Sequence, residues 1–126
     1  MTSRNPSGTA FMMAFLRGFH AVYDNTKIFN DPLAYDLIPE EVREAFKQHL
    51  IESAAEMAPE LAKECTDAET SLRLAVRTMA GPVLARARFA EERLEEAIHK
   101  GISQYVILGA GLDTFAYRRL DLADRL

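Results

Sequence analysis

Apolar residues recur at steps of three and four through most of the first hundred positions, a period that predicts a succession of amphipathic helices. Phe11, Met12, Phe15, Phe19 and Val22 share one face of a helix running from about Thr9 to Tyr23. Ser7-Gly8-Thr9 supplies its starting chemistry, and Asp24-Asn25-Thr26 stops it with residues that prefer turns. Asn30-Asp31-Pro32-Leu33 opens a short helix from Pro32 to about Leu37, with Asp31 as its cap rather than a catalytic acid. That helix ends by Ile38, because the residue before Pro39 is biased away from the helical region. From Glu41 to Glu64, Val42, Ala45, Phe46, Leu50, Ala54, Met57 and Leu61 make another apolar face, which Pro59 should kink or divide. Thr66-Asp67 separates it from a helix over Ala68–Met79. Gly81-Pro82 marks an expected break, and a last helix from Val83 to about Lys100 is closed by Gly101.

The pattern changes at Tyr105. Tyr105-Val106-Ile107-Leu108 is a continuous β-favouring run with no alternation, as expected of a central parallel strand buried on both faces. Such a strand needs neighbours, and no second one is visible before Leu126. The expected fold class is therefore α/β with a chain that is itself mostly α. A helical region over 1–100 is followed by 101–126 as the start of a sheet domain, completed either by a longer polypeptide or by another molecule.

Composition narrows the function classes. The 126 residues are 48% hydrophobic and 27% charged, ordinary for one globular domain. A net charge of −4, with 15 basic and 19 acidic residues interspersed, provides no field to draw nucleic acid. The single cysteine, Cys65, cannot form an internal disulfide and fits a reducing compartment. No apolar run of about 18 residues predicts a membrane span, and Met1 to Thr9 lacks a secretory-leader pattern, so a cytoplasmic location is expected. His20, His49 and His99 have no second His or Cys at ligand spacing, which disfavours a metal site. His20, on an apolar helix, reads as packing.

Gly109-Ala110-Gly111 directly follows the strand candidate. Glycines there let a backbone pass close to a ligand where a side chain would collide. A dinucleotide fingerprint would place a small residue where Thr114 stands, and no phosphate-binding lysine follows, so a P-loop is excluded. The remaining Gly-x-Gly-x-Asp turn suits a cofactor with no phosphate at that point, such as the amino-acid end of S-adenosylmethionine. The competing reading is a tight turn without ligand. Asp113 serves equally as a cap for the next helix or as a site carboxylate.

The stretch Ala85-Arg86-Ala87-Arg88-Phe89-Ala90, the run Val106-Ile107-Leu108-Gly109-Ala110-Gly111-Leu112-Asp113-Thr114 with Ala116-Tyr117-Arg118, and Ile28-Phe29-Asn30-Asp31-Pro32-Leu33-Ala34 resemble the leucine carboxyl methyltransferase-like family. The similarity spans nearly the whole chain and is weakest between Pro39 and Thr70; Phe115 departs from the arginine that many members carry. The resemblance implies a Rossmann-like class I methyltransferase whose N-terminal helices form a lid, with S-adenosyl-L-methionine as cofactor. It implies that Gly109, Ala110 and Gly111 line the methionine end and that Arg86 meets the cofactor carboxylate, with Arg88 as competitor. Lys27 matches a basic residue near the cofactor in some members. Methyl transfer to an oxygen, a carboxylate of an unidentified small-molecule or protein acceptor, is implied for the full-length enzyme; the ribose-binding acid would follow later, so this chain alone is expected to be inactive. Its catalytic residues cannot be named. A helical self-association module, its lone strand pairing across a homodimer, is the alternative from another class. A nicotinamide oxidoreductase is disfavoured by Thr114.

Overall fold

The computed structural model describes residues 6–126. The secondary-structure elements among them are helical. The expectation about a leader falls partly on residues outside that range.

α1 spans Gly8–Tyr23, and the Ser7 hydroxyl accepts the Ala10 N–H at 3.1 Å, capping it as expected. Its apolar stripe is wider than the periodicity suggests. Ala14, Phe15, Leu16, Gly18, Phe19, His20 and Ala21 are all buried, so α1 is the central helix of the molecule. α2 (Leu33–Asp36) lies directly against it. A Cβ on Gly18 would stand 2.4 Å from the Tyr35 nitrogen, so only glycine permits this approach. Around Phe15 gather the rings of Phe19, Tyr35 and Phe46, with centroids 5.7, 6.0 and 5.9 Å away.

α3 (Glu40–Met57) and α4 (Pro59–Ala62) are divided at Ala58, as Pro59 predicts. The apolar face expected over Glu41–Glu64 is narrower than the periodicity suggests, for Ala45 of α3 and Leu61 of α4 are exposed while Leu50 and Ala54 are buried. α5 corrects the sequence reading. It runs unbroken from Ala68 to His99, through Gly81 and Pro82. Both are exposed, so the Thr78 carbonyl that loses its partner to the proline faces water. Val76, Ala80 and Leu84 meanwhile carry one buried face across the site, and that packing outweighs the local break. At the start of α5, Asp67 and Thr70 form a reciprocal capping box. At its end Gly101 has φ +93°; its N–H donates to Ile98 and that of Ile102 to Ala97, a Schellman closure.

α1, α2, α3 and the first two-thirds of α5 enclose the main core. A second, smaller cluster forms at the far end of α5, where Leu94 and Ile98 meet Phe115 and Leu122. Phe115 belongs to a short helix, α6 (Phe115–Arg118), and Leu122 ends a 3₁₀ turn over Leu120–Leu122.

The expected strand is not present. Tyr105–Leu108 is non-helical and unpaired, with Val106 66% and Leu108 89% exposed instead of buried on both faces. Among the described residues no other strand offers it a ladder. The apolar run shows β-propensity, but propensity alone does not make a sheet.

Candidate functional site

After the Schellman turn the chain passes back along the end of α5, the Tyr105 ring meeting Phe115 edge-on at 5.0 Å. It then makes the glycine turn. Gly109 and Gly111 have φ of +64° and +57°, left-handed values that disfavour any side chain. A Cβ at Gly109 would meet nothing within 4 Å, whereas at Gly111 it would come to 3.3 Å from Ala10 in α1. Gly111 is thus held by a close approach to protein, and Gly109 borders open space.

The turn closes on itself by a hydrogen bond from the Asp113 N–H to the Ala110 carbonyl, 2.9 Å. The Asp113 carboxylate accepts the Phe115 N–H at 2.8 Å, so it does cap α6. It also lines both cavities that flank the turn. One, of about 390 Å³, is bounded by Ser7, Thr9, Ala10, Arg86 and Gly109–Asp113. The other, of about 410 Å³, is bounded by Phe29, Arg86, Glu91, Tyr105, Ile107 and Phe115, among others. Arg86 borders both and has no ion-pair or hydrogen-bond partner among the described residues. Arg88 is paired with Glu92 on the surface at 2.7 Å.

The structure therefore brings Arg86, Gly109, Ala110, Gly111 and Asp113 together. It leaves Lys27 apart: the ammonium donates to the Asp24 carbonyl at the end of α1, and to that of His20 at 3.5 Å. The Tyr105 phenol in the second cavity is pushed above its ordinary pKa, first by burial and then by the negative charges of Asp113 and Glu91.

A cluster that sequence reasoning missed ties this region to the helical core. Asp31 is fully buried. One of its oxygens accepts Arg17 Nε at 3.0 Å; the other accepts the Ala34 N–H at 3.2 Å and pairs with Arg118 Nε at 3.2 Å. The expected cap is real, and it is the smaller part of what Asp31 does. Arg118 also donates to the buried Thr114 hydroxyl at 2.8 Å and pairs with Glu91 of α5, its guanidinium lying 4.7 Å from the Phe29 ring centre. Arg17 reaches the other way, to the Leu112 carbonyl at 2.8 Å. The signal for this was present: Arg17 is the only Lys, Arg, Asp or Glu in α1.

His20 proves to be structural. Its Nε2 accepts the Ile28 N–H at 2.9 Å, leaving Nδ1 to donate to Asp24 at 2.7 Å. A larger cavity, about 480 Å³, lies beside it between the 24–28 loop and the middle of α5, and contains none of the residues of the glycine turn.

A family model described as leucine carboxyl methyltransferase matches residues 10–126. "Putative S-adenosyl-L-methionine-dependent methyltransferase YktD" of Bacillus subtilis (strain 168) is 36% identical over all of this chain and 42% of its own length. A protein of Mycobacterium marinum described as an S-adenosyl-L-methionine-dependent methyltransferase, likewise with the qualifier "Putative", is 39% identical over 48% of this chain and 20% of its own. The chain thus spans less than half the length of the curated relatives it matches. No solved structure shows a significant match. No helix among the described residues is long and apolar enough to cross a membrane.

Proposed function

This chain belongs to the leucine carboxyl methyltransferase family, and from that premise we propose that its glycine turn is half of a binding site for S-adenosyl-L-methionine. The observation that carries the reading is the convergence of Gly109, Arg86 and Asp113 on one cavity. The donor set fits an amino-acid group: Arg86 offers an unpartnered guanidinium to a carboxylate, and Asp113 an acceptor to an ammonium. The open space over Gly109 suits close passage of a chain between them. Ala110 adds only a methyl. Lys27 stands outside this half-site.

In this reading residues 101–126 begin a Rossmann-like domain, and 1–100 form the helical region that covers the site. Tyr105–Leu108 becomes a strand only when partner strands lie beside it. The cofactor supplies a methyl group on a sulfonium, and the acceptor is an oxygen, a carboxylate of a small molecule or protein. A carboxylate needs no base to make it nucleophilic, so the protein's contribution is alignment and exclusion of water. In this reading a ribose-binding acid is not among the 126 residues, and the chain alone is expected to show no turnover.

Calorimetric titration of the chain with S-adenosylmethionine and S-adenosylhomocysteine tests the half-site. Binding that Gly109→Val abolishes supports it; no heat at millimolar ligand rejects it. Self-association through Tyr105–Leu108 is the second reading, favoured by the exposure of Val106 and Leu108. Light scattering that gives a monomer mass at every concentration excludes it.

A further inference from the structure

Two arginines border the glycine turn, and their situations are opposite. Arg86 is exposed and unpartnered among the described residues. Arg17 is 14% exposed with its Nε committed to Asp31 and an Nη to the Leu112 carbonyl. Two of its five N–H donors are thus spent on the protein, one on each side of the gap between α1 and the turn, and the side chain lines both cavities beside it.

On the S-adenosylmethionine reading above, we propose that Arg17 is a positioning residue of that half-site, fixing the separation between the glycine turn and α1. The turn needs such a tie. Its two glycines are the most permissive residues of the segment, and no ladder secures the run before it. Its internal bonds, Asp113 to Ala110 and Phe115 to Asp113, set its shape but not its place. Its place is set from α1 by the contact of Gly111 with Ala10, by the packing of Leu112, and by the one charge-assisted bond from Arg17. Asp31 aims that bond. Because the buried carboxylate accepts the Arg17 Nε–H, the Arg17 fork is turned so that an Nη on its other edge meets Leu112. Arg17 thereby controls the width of the cavity between Thr9, Ala10, Arg86 and Gly109.

Amide exchange by NMR on the unliganded chain, paired with titration by S-adenosylhomocysteine, tests this in wild type, Arg17→Met and Arg17→Lys. In Arg17→Met the Asp113 amide, which donates to the Ala110 carbonyl, is expected to exchange at least about tenfold faster, with α3 amides unchanged. Affinity for S-adenosylhomocysteine is expected to fall about tenfold. Arg17→Lys, which can keep the Asp31 pair but cannot hold both acceptors in one fork, falls between. An Asp113 amide as protected as in wild type overturns the proposal, as does unchanged affinity with a loosened turn. If Arg17→Met also loosens α3, the lysine variant decides by the same two readouts. If the wild-type chain binds no S-adenosylhomocysteine, the cofactor reading fails, while the exchange result still decides whether Arg17 holds the turn.

Discussion

The helices over 8–99 and the segment over 102–126 follow one another in the same chain but are stabilised in different ways. In the first, aromatic and aliphatic side chains from four helices enclose Phe15, Leu16 and Val76 almost completely. In the second, a small cluster around Phe115 and Leu122 leans on the end of α5, while Tyr105–Leu108 lies open. Beside that apolar contact the two are coupled by polar ties: Asp31 and Glu91 with Arg118, Arg17 with the Leu112 carbonyl, and Glu95 with Arg119. A region with a deep apolar core specifies itself. A region without one depends on charges borrowed from its neighbour, and the candidate site sits where the two meet.

Asp31→Ala should break this relation most severely. It leaves two arginines facing a vacated buried site, at a cost of about 3–5 kcal/mol, read as a lower denaturant midpoint together with lost protection in α6. Gly18→Ala attacks the helical region alone. With the Tyr35 backbone 2.4 Å from the new methyl, α2 must move, at about 1–3 kcal/mol; the loss should appear in thermal unfolding. Pro82→Ala restores a backbone donor inside α5 and should raise the midpoint, by up to about 3 kcal/mol. A lower midpoint would show that the continuous helix depends on the proline. Asp67 gives a pH signature. The Thr70 backbone N–H and hydroxyl hold its carboxyl below the ordinary 3.8, so its stabilisation is complete above that value and disappears as pH falls through the lower, folded one. Asp67→Ala should accordingly separate from wild type at neutral pH and converge with it in strong acid. Leu108→Lys should do least, within about 0.5 kcal/mol, because the side chain is already 89% exposed.

The two regions were also unequally legible in the sequence. α1, α2, the Pro59 division and the Gly101 closure follow from caps, apolar periods and backbone rules that act within a few residues. The break expected at Gly81-Pro82 failed because Val76, Ala80 and Leu84 pack on one side while water receives the orphaned carbonyl on the other. The strand at Tyr105–Leu108 failed for the converse reason: its propensity has nothing beside it to act on. At the candidate site, Arg86, Gly109, Ala110, Gly111 and Asp113 were identified by resemblance and by the chemistry of glycine turns. The ties through Arg17, Asp31 and Arg118 were not, since they join positions up to 95 residues apart. Lys27 was named on the same resemblance, and helix carbonyls hold it elsewhere.

That 95-residue span also bears on the order in which the molecule assembles. Closing so long a loop from an open chain carries a length-dependent entropy of about 4 kcal/mol. Once α1 has packed along α5, the same contact closes only the roughly dozen residues beyond His99, and that entropy falls to about 2 kcal/mol. The bond from Arg17 to Leu112 is therefore a late event in folding and an early one to open, made onto a scaffold of helices already in place.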